Sequence, residues 1–182
     1  MYKRQVLIGT RTIQESQQLA ERLDAISLSY QLLNGTQDSD EAELVARAGH
    51  AGAITIATNL AGRGTDIKLP PAVEESGGLH VIVSECHASS RVDRQLVGRC
   101  ARQGQKGSCQ TFISAEDWLL KTHASWLSET IIKLASDGEL SLDLNAKILD
   151  LQNRLEREQF ASRLELLRSN ERRNQIILRA SS

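Results

Sequence analysis

The chain has 182 residues, of which 40% are hydrophobic, 25% charged and 3% aromatic. That is the length of one ordinary domain with room for an appendage, and the apolar content suffices for a packed core, which excludes a wholly disordered chain. Its 22 basic and 23 acidic residues leave a formal net charge of -1, so the basic surplus of a dedicated nucleic-acid binder is absent.

No run approaches the roughly 18 consecutive apolar residues that span a bilayer. Val6-Leu7-Ile8 is too short for a signal-peptide core, and the expectation is a cytoplasmic chain. Cys86, Cys100 and Cys109 are odd in number and lack CxxC spacing. They read as free thiols, and no metal ligand is assigned.

Gln5 to Gly9 reads as a buried strand. Thr12-Ile13-Gln14-Glu15 is a capping-box pattern, and Leu19, Leu23 and Ile26 at helical spacing predict a helix over about 12 to 26. Ser29 to Leu33 is a second strand, and Asp38 to Ala48 a second helix stopped by Gly49. Further strands are predicted at Ala53 to Ala57, Leu79 to Val83 and Gln110 to Ile113, with a helix from Arg91 to Arg102 before the last. Strands alternating with helices imply βαβ units and a mostly parallel sheet with flanking helices. Ligands on such sheets bind beyond the carboxyl ends of the strands, which points to the loops after Ala57 and after Val83.

From Glu116 the strand signal ends. Trp118, Leu119, Trp126, Leu127, Ile131, Ile132 and Leu134 predict short helices, broken at Asp137-Gly138. Trp118 and Trp126, at a helical spacing of eight, are assigned to the core, with a partner interface as the alternative. Leu144, Ile148, Leu151 and Leu155, then Phe160, Leu164 and Leu167 after a phase shift, predict one helix from about Ser141 to Arg179, ~60 Å long at 1.5 Å per residue. Its charged face is solvated, and its apolar stripe needs a partner. The division is therefore an α/β domain over 1–115 and an α-helical extension over 116–182.

Two segments can carry chemistry. Ala57-Thr58-Asn59-Leu60-Ala61-Gly62-Arg63-Gly64-Thr65-Asp66-Ile67 follows a buried strand. Gly62 and Gly64 permit close backbone approach to a ligand. Arg63 between them can present a fork to phosphate, and Asp66 can accept from a ribose hydroxyl or hold an arginine. The plain alternative is a glycine-containing turn with a surface Arg and Asp. In Gln95-Leu96-Val97-Gly98-Arg99-Cys100-Ala101-Arg102-Gln103-Gly104, one continuous helix would put Gln95, Arg99 and Arg102 on one face. Adjacent arginines repel unless carboxylates or an anion such as a nucleoside triphosphate lies between them. The alternative is a surface helix paired with Asp93 or Glu85. His80 reads as a packed core histidine, and Cys86-His87 lacks a second ligand pair.

Together these strings are similar to the two arginine motifs of the second RecA-like domain in superfamily 2 motors. Longer stretches resemble the SecA preprotein translocase ATPases over most of the chain: Gly9 to Ser16, Thr55 to Ile67, Gly77-Gly78-Leu79-His80, and Arg102-Gln103-Gly104 through Glu116-Asp117. The resemblance implies an ATP site shared between two domains, to which this one brings arginines. Arg63 and Arg102 would contact the phosphates, with Arg102 the γ-phosphate finger and Arg99 in support. Asp66 would sit near the ribose or an arginine, and Gln95 would couple nucleotide state to the cleft. Arg91 is a weaker inter-domain candidate. An inserted arginine is worth on the order of 10³–10⁵ in kcat.

The implied cofactor is ATP with Mg²⁺, the metal held by a first RecA-like domain. G-x-x-x-x-G-K-[ST] and a DEAD-like Asp-Glu pair do not occur here, so the chain alone is expected to be inactive. Implied partners are that first domain, the protein-conducting Sec channel and preprotein, with a homodimer as a further reading and no dedicated nucleic-acid site. The implied location is the cytoplasm, peripheral to the cytoplasmic membrane. Residues 116–182 would match the start of the helical scaffold domain. Val97 stands where the family usually has Arg, Cys100-Ala101 replaces a usual Ser-Gly, and Leu69-Pro70-Pro71 replaces a Gly-rich stretch. The alternatives are the C-terminal half of a nucleic-acid helicase and a degenerate binding module.

Overall fold

Short segments rich in Val, Ile and Leu form the centre of the molecule. A computed structural model describes residues 4–33, 41–58, 66–140 and 142–180. Five strands, Val6–Thr10 (β1), Gln31–Leu33 (β2), Ile54–Thr58 (β3), Leu79–Val83 (β4) and Gly107–Thr111 (β5), make one sheet in the order β2-β3-β1-β4-β5. Among the described residues, every pairing within this sheet is parallel. A parallel sheet covered on both faces needs apolar side chains on both, and Ile56, Val81 and Val83 are fully buried accordingly.

The helices are Ile13–Ala25 (α1), Glu41–Ala48 (α2), Pro71–Glu75 (α3), Ser90–Val97 (α4), Trp118–His123 (α5), Ser125–Leu134 (α6) and Asn145–Ala180 (α7). The capping box of α1 forms as its residues require: Glu15 N–H donates to Thr12 Oγ1 at 3.1 Å, and Thr12 N–H to Glu15 Oε2 at 3.2 Å. Helix α3 escapes the sequence reading because it is one turn long, started by a proline at its first position. Strand β5 begins three residues earlier than its β-formers suggest. Gly107 pairs with Leu79 because only glycine fits there: a Cβ would stand 2.6 Å from Ala101 N. His80 is half-buried, its Nδ1 2.7 Å from Ser108 Oγ on the neighbouring strand.

Among the described residues, two apolar clusters hold these elements. One lies against the sheet and includes Leu7, Val45, Ile67, Val81 and Leu96. The other joins the loop after β4, through Cys86, to Leu119, Leu120 and Leu127 of α5 and α6 and to Ile148, Leu151 and Leu155 of α7. The assignment of Trp118 and Trp126 to the core is corrected here, since they are 42% and 57% exposed. Ala124 (φ -151°, ψ 53°) breaks the segment into two helices, so a spacing of eight no longer marks one face. The leucines beside the tryptophans are buried instead, while Trp118 lies under Arg11 and Trp126 near Lys147. The predicted apolar stripe of α7 is likewise buried only in its first part, and Phe160 and Leu167 are 63% and 60% exposed.

Candidate functional site

The arginine segment begins at helix α4. Its first turn is capped from outside by α7: Ser89 Oγ–H donates to Glu156 Oε1 at 2.7 Å, and Ser90 N–H donates to the same oxygen at 3.1 Å. The hydroxyl and amide donors hold the Glu156 carboxyl below its usual range. One turn away along α7, Gln152 Nε2 donates to His87 O and to Asp93 Oδ2, both at 2.7 Å.

Helix α4 closes at Gly98, whose N–H reaches Arg94 O at 2.8 Å. Ala101 (φ 55°), Gln103 (φ 52°) and Gly104 (φ 80°) then adopt left-handed conformations around a 3-10 turn at Arg102–Gly104. The expectation that Gln95, Arg99 and Arg102 share one helical face is therefore corrected, because Gly98 ends the helix before either arginine. Ala101 does not continue the helix. Gln95 is exposed and Arg99 half-buried. The turn folds Arg102 back, so that Nε donates to Gly98 O at 2.7 Å and Nη1 meets Asp66 Oδ1 at 3.0 Å. Of the two partners read for Asp66, the structure shows the arginine. Both side chains are accessible, 38% and 41% exposed. Gly62, Arg63 and Gly64 lie outside the described residues.

This pair is not beyond the carboxyl ends of the strands. Cys100 and Ala101 pack on Gly107, the first residue of β5, and Gly78, just before β4, abuts the Lys106 carbonyl. Arg102 therefore lies at the amino-terminal side of the sheet, contrary to the sequence expectation. The loop after β4 is occupied by the helical extension: Trp118 N–H donates to Glu85 Oε1 at 2.8 Å, and Cys86 belongs to the extension's core. Arg11 reaches Glu15 at 3.0 Å and Glu85 at 3.3 Å, with its guanidinium 5.2 Å from the Trp118 ring.

Sequence reasoning missed Arg11, Asp117, Gln152 and Glu156. Glu156 stands in a charge run that reads like any solvated face, and only its spacing of four from the buried Gln152 carries a signal. Burial pushes the Asp117 carboxyl up to about 7, against the donor N–H of Ser114 and with repulsion from Glu85 and Glu15. Burial raises Asp93 and lowers His87. The Cys86 thiol is pushed up to about 12 by burial, which makes it a poor nucleophile. Among the described residues, no group of three or more His, Cys, Asp or Glu is placed to hold a metal ion.

A family model described as the SecA P-loop domain matches residues 1–74 and 70–138. Protein translocase subunit SecA 2 of Bacillus thuringiensis (strain Al Hakam) is 51% identical over 151 residues, covering 83% of this chain and 19% of that protein. The SecA 2 subunit of Rhodopirellula baltica is 42% identical over 177 residues, covering 95% of this chain and 27% of that one. This chain thus spans about a fifth to a quarter of the length of these curated relatives. Among solved structures, the E. coli DEAD-box protein SrmB bound to regulator of ribonuclease activity A matches with a TM-score of 0.52 at 24% identity, over 69% of both chains. That likeness concerns the fold, which is RecA-like, a parallel sheet with flanking helices followed by a C-terminal helix.

Proposed function

This chain belongs to the family of SecA P-loop domains, and we propose that it works as the second motor domain of an ATP-driven protein translocase. Residues 1–115 form the motor domain in this reading, and 116–182 begin a helical scaffold. The sequence holds no G-x-x-x-x-G-K-[ST], so the phosphate-binding loop and the Mg²⁺ ligands come from a first RecA-like domain, and this chain alone is inactive. Arg102, Arg63 and Arg99 are the arginines it supplies. Gly62 and Gly64 allow close approach, Asp66 sits near the ribose or an arginine, and Gln95 couples nucleotide state to the cleft.

The observation that carries this reading is the half-exposed Arg102–Asp66 pair. One guanidinium N–H already meets a carboxylate oxygen, so the group is placed to meet an oxyanion. Its Nε is held by Gly98 O, which orients the fork before any ligand arrives. ATP supplies the phosphoryl group whose transfer to water drives such motors. Arg102 would exchange Asp66 for a phosphate oxygen when two domains meet, and a cation placed there offsets charge developing on that oxygen. The proposed partners are the first motor domain, preprotein and the protein-conducting channel, with a homodimer as an assembly state. The proposed location is the cytoplasmic face of the membrane. No helix among the described residues is long and apolar enough to cross a membrane.

The test is to mix this chain with a separately produced first motor domain carrying the phosphate-binding loop. The expected result is nucleotide-dependent association and stimulated ATP turnover, both lost in Arg102→Ala. No stimulation, with wild type and Arg102→Ala behaving alike, overturns the reading.

A further inference from the structure

Helices α4 and α7 enclose a second feature, which does not depend on the ATP reading. A groove of about 780 Å³ between them is lined by Ser89, Arg91, Asn153, Arg157, Phe160 and Arg163, among others. All three arginines are exposed, and none has a carboxylate three or four residues away on its own helix. The acidic side chain in the groove, Glu156, is committed to Ser89 and Ser90. Midway between Arg157 and Arg163 stands Phe160, an apolar ring that is 63% exposed. Three guanidinium groups around one bare aromatic ring form a surface complementary to negative charge flanking an apolar group.

We propose that this groove docks an acidic peptide segment with an apolar residue at its centre. Arg157 and Arg163 are six residues apart, about 9 Å along the helix. An extended peptide rises about 3.3 Å per residue and lines one face with alternate side chains. Carboxylates two positions to either side of a central residue therefore lie about 13 Å apart on its face and bracket that distance within the reach of two flexible arginine side chains. The occupant is thus an acidic run around a central apolar residue, the carboxylates at two positions to either side on the guanidinium forks and the apolar side chain on Phe160. A single-stranded nucleic acid fits less well, because successive bases call for a row of stacking aromatics and the described lining of the groove offers one.

The test uses the full chain and fluorescein-labelled Asp-Glu-Leu-Glu-Asp, followed by fluorescence anisotropy at low salt. The comparison probes are the uncharged Asn-Gln-Leu-Gln-Asn and oligothymidylate. The acidic peptide should bind, and its neutral counterpart roughly tenfold or more weakly. Arg157→Gln with Arg163→Gln should weaken the acidic peptide by about tenfold, and Phe160→Ala by a smaller factor of about three to ten. These are exposed helical positions, and circular dichroism checks that each variant keeps its helix content. The proposal is overturned by failure of the acidic peptide to bind, by equal binding of the neutral peptide, by tighter binding of oligothymidylate, or by variants that bind like wild type. Concentration-dependent doubling of mass that the same variants abolish would also overturn it, assigning the groove to a second copy.

Discussion

Arg102 and Asp66, 36 residues apart in sequence, form an ion pair of 3.0 Å at the amino-terminal side of the sheet. Because both side chains are more than a third exposed, the pair contributes little to folding. Asp66→Ala should lower the unfolding free energy in urea by no more than about 1 kcal/mol. In the reassembled motor, Arg102→Ala should cost on the order of 10³ or more in turnover. Arg102→Lys should not restore it, because an ammonium lacks the planar fork. A large stability loss in Asp66→Ala would mark the pair as a structural clamp.

Ala101 is held at φ 55° between the end of α4 and the 3-10 turn. A left-handed conformation costs an L-residue with a Cβ roughly 1–2 kcal/mol, part of which glycine returns through the greater freedom of its unfolded chain. Ala101→Gly should therefore stabilise the fold by up to about 1 kcal/mol in a urea titration. A variant less stable than wild type would contradict the left-handed assignment.

The carboxyl of Asp117 titrates at about 7 in the fold, against an ordinary 3.8, chiefly because it is buried. Between those values the folded state holds a proton that the unfolded state releases, so the Asp117 contribution to stability falls as pH rises from about 4 to about 7. Asp93, also raised by burial, acts in the same direction. His87, lowered by burial, acts oppositely below its ordinary 6.5. Asp117→Asn removes the first contribution. Its stability relative to wild type should be greater at about pH 7.5 than at about pH 5, as read from paired denaturant titrations.

Leu120 is 0% exposed at the centre of the second core, whereas Trp126 is 57% exposed. Leu120→Ala should cost about 2–5 kcal/mol. Trp126→Ala, although it deletes a larger side chain, should cost less than about 1 kcal/mol. Equal losses from the two substitutions would place Trp126 back in the core.

Periodicity and local chemistry made much of the fold readable in advance. Leu79 to Val83 emerges as β4 at the predicted bounds, and the Thr12–Glu15 capping box starts α1 as its hydrogen bonds require. Features that depend on a few backbone torsions were not readable. The stop at Gly98, the left-handed Ala101 and the break at Ala124 each decide which way a functional or aromatic side chain faces, and none disturbs the pattern of apolar residues. The side of the sheet on which Arg102 lies was hidden for a different reason. The general rule favours the carboxyl ends, but here the helical extension packs over the loop after β4.

Helix α7 runs from Asn145 to Ala180, yet among the side chains described in it the last buried one is Leu155. The remaining 25 positions project about 38 Å from that last anchor. Such a rod is a pointer with a short fulcrum. A tilt of about ten degrees where Gln152 and Glu156 grip α4 would sweep the far end through about 6 to 7 Å at that length, so small adjustments beside the arginine turn become large displacements at a distance.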